Sequence, residues 1–258
     1  YQWKKGGVDV SGGTAATLSL ASAQLSDVGA YTVVVSNVVG PVTSTAANLT
    51  LNSPVSITTQ PAALTVNPNA PATFSVVASG TAPLTYQWRK DGSNIAGGTS
   101  ASYTIASAQA SNAGNYDVIV SNIVGPVTSG TATLSVNTPV TITTQPQSLT
   151  VNPSTAVSLS VAATGTAPIT YQWRKGGVPI AGGTASVLNL ASAQASDAGS
   201  YDVVVTNVVG SVNSSAATLS VNTPVTITTQ PANASVVPNA PATFTVAATG
   251  TAPLAYQW

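Results

Sequence analysis

The sequence predicts an all-β protein: a linear array of tandem β-sandwich domains built on one 85-residue repeat. Three observations carry that prediction. Tyr-Gln-Trp recurs at Tyr1, Tyr86, Tyr171 and Tyr256 with a constant step and no gap, and self-similarity at a fixed period settles architecture before any local reading. Runs of apolar-polar alternation rich in Val, Thr, Leu and Ala recur about every ten residues between Gly, Pro and Asn, the pattern of a sandwich. Helical periodicity is absent.

The period divides the chain into a partial domain over 1–51, complete domains over 55–136 and 140–221, and a second partial domain over 225–258. The sequence opens inside a repeat and closes on the tripeptide that opened it, so it reads as a window on a longer chain. Within 55–136, residues 55–60 form an extended edge segment stopped by Pro61, which cannot donate to a ladder. Leu64-Thr65-Val66 makes a second short piece. The run from Thr73 to Ala78 turns Phe74, Val76 and Ala78 inward, and residues 79–83 turn the chain. Leu84, Tyr86 and Trp88 form the next inward set, and Asp91-Gly92 is a tight-turn signal. After an irregular stretch over 93–100, Tyr103 and Ile105 point inward. Tyr116, Val118 and Val120 follow on the next strand, Asn122-Ile123-Val124-Gly125 makes a hairpin, and Ala132, Leu134 and Val136 line the return strand.

The order of these elements carries a resemblance. An alternating strand, a Trp strand and then Asp-x-Gly-x-Tyr-x-Val, as in Asp27 to Val33 and Asp197 to Val203, resembles an immunoglobulin domain of the intermediate type, and especially the tandem immunoglobulin-like arrays of large bacterial surface proteins. The resemblance covers the whole chain. It implies that Trp3, Trp88 and Trp173 lie on strand C, and that Tyr31, Tyr116 and Tyr201 form a tyrosine corner on strand F. The disulfide positions of the family are apolar here: Val76, Val161 and Val246 on strand B, and Val33, Val118 and Val203 on strand F. Each Trp should therefore pack on a Val-Val contact. A disulfide contributes ~2–4 kcal/mol, whereas burying two Val side chains recovers ~1.5–3 kcal/mol each, so such a domain folds without an oxidant.

Composition excludes most chemistry. Charged residues are 5% of the chain, with six Lys and Arg against six acidic residues, all Asp, and no His or Cys. This balance offers no basic stripe for nucleic acid, and no apolar run approaches the ~20 residues of a membrane span. Without His, Cys or Glu, the usual general bases and nucleophile partners are missing, so the chain reads as no enzyme, with no catalytic, cofactor or metal site.

Three weaker signals have plainer readings. The basic pairs Lys4-Lys5, Arg89-Lys90 and Arg174-Lys175 suggest a patch for an anionic glycan, but alternation turns each Trp inward, and if Trp88 lies opposite Val118 then Arg89 lies opposite Asp117 on the outer face, as Arg174 does opposite Asp202, which makes cross-strand ion pairs. Asp27 and Asp197 give way to Asn112 in the middle repeat, which fits an Asx-type turn cap better than a calcium ligand. The sequons at Asn48, Asn213 and Asn233 fall at different phases of the repeat.

The joints are Asn52-Ser53-Pro54, Asn137-Thr138-Pro139 and Asn222-Thr223-Pro224. Three residues ending in Pro leave little slack. Strands of about 12 residues at ~3.3 Å imply a semi-rigid rod advancing roughly 40 Å per repeat. Uncharged outward faces, with Val34, Ile119 and Val204 on one sheet and Thr73, Ser75, Val77, Ser102, Thr104, Ser158, Ser160 and Ala162 on the other, lack the charges that keep sheets apart. The expectation is a structural protein at the cell surface or outside the cell, whose rods associate with themselves into a filament or sheath. The alternative is a spacer or adhesive region of a large surface protein with a glycan or protein partner.

Overall fold

The computed structural model describes residues 1–258. Strands and three single 3-10 turns make up its regular structure. By Cα packing the chain divides into two compact units, residues 1–64, 72–105 and 114–134, and residues 65–71, 106–113 and 135–258.

In the first unit, Gln2–Lys5 lies between Val8–Asp9 and Gly29–Ser36, which also pairs with Pro41–Thr43 and Ala47–Leu49. This is a single sheet, and no second sheet covers its Trp3 face. The sheet from 85 onward repeats the plan, with Thr85–Lys90 between Ser93–Asn94 and Gly114–Ser121. Here the pairs Ala72–Ser75 with Ser102–Ile105 and Ser56–Thr59 with Val77–Ser79 form the second layer. The turn between Lys90 and Ser93 uses Asp91 at φ 48° and Gly92 at φ 80°. Two positive φ angles match the twist of the flanking strands.

In the second unit, Thr170–Lys175 lies between Val178–Pro179 and Gly199–Thr206, followed by Ala217–Val221 and the parallel Leu149–Val151. Opposite it lie Val157–Ser160 with Val187–Leu190, and Thr141–Thr144 with Ala162–Thr164. Thr226–Thr229 pairs with Ala247–Thr249. Between the layers of this sandwich, Val161, Trp173, Tyr201 and Val203 belong to one buried cluster with Leu159 and Leu219.

Core placement differs between copies. Trp88 and Trp173 have no exposed surface, and Tyr116, Tyr201, Val118, Val203, Val76 and Val161 are buried. Tyr31 is also buried, but Trp3 and Val33 are only half-buried. Placing those two in a closed core needs correction, because a sheet buries a face only against another layer. Tyr86 and Leu84 are likewise half-buried. The middle repeat packs Phe74 against Tyr116 with ring centroids 4.7 Å apart, where the next repeat places Leu159 beside Tyr201 in its cluster.

Two strands read as continuous are broken. Residues 72–79 change partner at Val76, pairing first with Ser102–Ile105 and then with Ser56–Thr59, where the register shifts. The return strand splits into Pro126–Thr128 and Ala132–Val136. In that gap the buried Ser129 hydroxyl accepts the Val118 N–H at 3.0 Å and donates to the Gly130 carbonyl. Ser44 and Ser214 repeat this bond to Val33 and Val203. The corner also recurs: Tyr31 and Tyr201 each donate to the carbonyl of Asp27 or Asp197 at 2.7 Å. The Asp27, Asn112 and Asp197 side chains accept the N–H three residues upstream, closing the turn in all three repeats.

Trp173→Ala is expected to cost about 3–5 kcal/mol in chemical denaturation, and Trp3→Ala distinctly less. Burial holds the Tyr116 and Tyr201 hydroxyls above their ordinary pKa. A raised folded-state pKa gives stability that is complete below the unfolded value, about 10, and lost as pH rises through the folded one. Denaturation followed above about pH 10 should show that loss, and a Tyr116→Phe, Tyr201→Phe variant should show less of it.

Candidate functional site: the hydrogen-bonded joint

No group of three or more His, Cys, Asp or Glu gathers as a metal site. The basic positions after each Trp are engaged: Arg89 meets Asp117 through two bonds, 2.7 and 2.8 Å, and Arg174 meets Asp202 in the same way. The hydrogen bond to Asp117 raises the Arg89 pKa, as that to Asp202 raises Arg174. In the first repeat Thr32 stands opposite Lys4, whose ammonium bonds Asp9 instead at 2.5 Å.

Polar side chains converge elsewhere, at the three-residue joints. At 137–139, Thr138 donates its N–H to the Thr166 hydroxyl at 2.7 Å and accepts the Thr166 N–H at 3.0 Å. Asn207 then donates its amide to the carbonyls of both Thr138 and Thr166, at 2.8 and 3.1 Å. Its Oδ1 accepts the N–H groups of Val209 and Gly210 and so caps its own hairpin. One buried Asn therefore uses both ends of its amide. Ser53, Thr81 and Asn122 form the same clamp at the first joint, and Thr223 with Thr251 forms the reciprocal pair at the third.

The other side of the joint is fastened as well. Asn137 donates its N–H to the Val66 carbonyl and its amide to Asn67 Oδ1, both at 2.8 Å; Asn222 does the same with Val151 and Asn152. Asn67 reaches further, donating to the Val208 carbonyl at 3.3 Å. Close approach dictates one glycine per joint. A Cβ on Gly165 would lie 3.0 Å from both the Pro139 carbonyl oxygen and Val140 Cα, and its φ is +150°. Gly80 and Gly250 stand in the same place at the other joints.

Sequence reasoning named the three linkers but none of these partners. Their signal was the sameness of the loops, Thr-Ala-Pro at Thr81, Thr166 and Thr251 and Asn-x-Val-Gly at Asn37, Asn122 and Asn207. Repetition marks a loop as constrained without saying what it touches.

Asn207→Ala leaves the Thr138 and Thr166 carbonyls short of a partner, at an expected cost of about 1–3 kcal/mol, read by denaturation and by faster exchange of the Thr138 and Thr166 amides. Gly165→Ala should destabilise by ~1 kcal/mol or more, whereas Gly210→Ala, with nothing within 4 Å of its added Cβ, should be close to neutral.

A model of the immunoglobulin domain matches residues 54–122 and 139–207. Over 258 residues the chain is 30% identical to Hemicentin-1 of Mus musculus, covering 93% of this chain and 4% of that protein. It is 28% identical to Roundabout homolog 3 of Homo sapiens over 228 residues, 81% of this chain and 16% of the relative. The chain thus spans a small part of these relatives, both from animals. A three-immunoglobulin-domain structure of titin superposes with a TM-score of 0.62 at 22% identity, covering 78% of this chain and 77% of that one, which shows the same fold. With the Trp, the tyrosine corner and the two-layer sandwich in place, and more than half of its length matched, the chain belongs to the immunoglobulin domain family.

Proposed function

We propose that this chain is a stretch of a non-enzymatic extracellular protein whose immunoglobulin-like domains form a semi-rigid structural rod, and that the rods associate with themselves into a filament or sheath. In this reading residues 55–136 and 140–221 are complete domains of the intermediate type, residues 1–51 and 225–258 are partial ones, and Trp88, Trp173, Tyr116, Tyr201 and their Val partners pin each core. A bacterial cell surface is the setting that the sequence resemblance implies.

The observation that carries the proposal is the joint. Asn137 and Thr138 are bonded by backbone and side chain on opposite sides of one short link. A link so tied has few conformers to exchange, and stiffness along a chain follows from stiff links. The near absence of charge, 5%, removes the repulsion that keeps soluble proteins apart. A second reading, a spacer or adhesive region, draws support from Hemicentin-1, of which an aligned array of this length is only 4%.

Electron microscopy of the native material should show extended particles with an axial spacing near ~40 Å. Units folded back on one another without regular spacing would overturn the rod. Saturable binding of one 85-residue repeat on a glycan array would favour the adhesive reading.

A further inference from the structure

We propose that the open edges of Ser102–Ile105 and Val187–Leu190 are the contact surface for a second copy of this chain, pairing antiparallel with the same strand of that copy. This rests on the self-association reading above and names its surface.

The two strands each have one neighbour. Ser102–Ile105 pairs only with Ala72–Ser75, and Val187–Leu190 only with Val157–Ser160. The Val76 N–H meets the Ala101 carbonyl, and the Val161 N–H meets that of Ser186. In an antiparallel ladder, hydrogen-bonded and non-bonded positions alternate. Counting from those bonds, the N–H and C=O groups of Ser102, Thr104, Val187 and Asn189 turn to the open side. All four residues are exposed.

Several other edges carry guards. Ser93–Asn94 and Val178–Pro179 are two residues long and lie beside the Arg89–Asp117 and Arg174–Asp202 ion pairs. Leu64–Val66 runs between Pro61 and Pro68, and Leu149–Val151 between Pro146 and Pro153. Ser56–Thr59 and Thr141–Thr144 are flanked by prolines and slip register along their length. Short length, proline, charge and bulges are the devices that stop edge-to-edge pairing. The proposed strands, four residues each, hold no proline, no charge and no bulge. No charged residue lies between Asp91 and Asp117 or between Lys175 and Asp197.

The chemistry suits a copy better than an unlike partner. An uncharged edge of alternating backbone donors and acceptors is complementary to itself when turned antiparallel. Its outer side chains are already tied down, Thr104 to Thr73 at 2.9 Å and Asn189 to Ser158 at 2.7 Å, so little side-chain freedom remains to be lost on pairing.

The test is sedimentation velocity of the 258-residue chain across a concentration series, beside a Thr104→Lys, Asn189→Lys variant and a Ser93→Lys control, all checked for fold by circular dichroism. Like charges placed opposite each other should weaken association of the double variant by at least about tenfold, with the control unchanged. Because the chain has no cysteine, a Thr104→Cys variant adds a second readout and should form disulfide-linked dimers under mild oxidation where a Ser93→Cys variant does not. Wild-type association equal to that of the double variant overturns the edge and leaves self-association standing. A wild-type chain that stays monomeric throughout overturns both.

Discussion

Each complete sandwich depends on the burial of one indole in a core that no covalent bridge supports. Trp173 has no exposed surface, and its polar groups are all employed at the rim. Its backbone N–H reaches the Gly183 carbonyl, its carbonyl accepts from Ile180, and its Nε1–H donates to the Ala185 carbonyl at 2.9 Å. The side chain fills the core while the main chain binds the loop that crosses to the other sheet. Gln172 adds to that fastening, donating to the carbonyls of Trp173 and Ile180. A buried indole with a satisfied N–H contributes large apolar area without an orphaned donor.

The same economy of polar groups extends outward from the core. Val in place of the disulfide cysteines leaves the interior wholly apolar, so specificity falls to a few buried hydrogen bonds at its margins: the Ser129 and Ser214 hydroxyls, the corner tyrosine and the amide of Asn207. Such groups cost several kcal/mol if unpaired, and no buried side-chain N or O lacks a partner. At the joint this logic links folding to length. Asn207 caps its own hairpin and grips the linker with one amide, so a domain that closes its hairpin has also fixed the peptide leading into it.

Much of this was legible in the chain. Alternation placed Tyr116, Val118 and Val120 inward because a strand has period two, and setting Trp88 across from Val118 put Arg89 opposite Asp117, the register the two strands adopt. Gln87, between the inward Tyr86 and Trp88, is half-buried and bonds across eight residues to Ile95. Alternation assigns a side but not a partner. The break at Val76 was invisible for a related reason, since it arises where a strand leaves one neighbour for another, and that at Ser129 interrupts a single pairing, with Pro126–Thr128 and Ala132–Val136 both bound to Gly114–Ser121. Trp3 shows the limit from the other direction, since an inward residue is buried only where a second layer lies over it.

By itself the sequence determined the period, the strand class, the apolar pins and the absence of cysteine chemistry, since these follow from composition and from spacings of a few residues. Tertiary structure alone decided which edges stay open and what the loops hold. Thr138, Thr166 and Asn207 are separated by tens of residues and meet only because two loops and a linker converge at one end of a sandwich. Contacts of that range are set by the closing of the sheets, which no local pattern encodes.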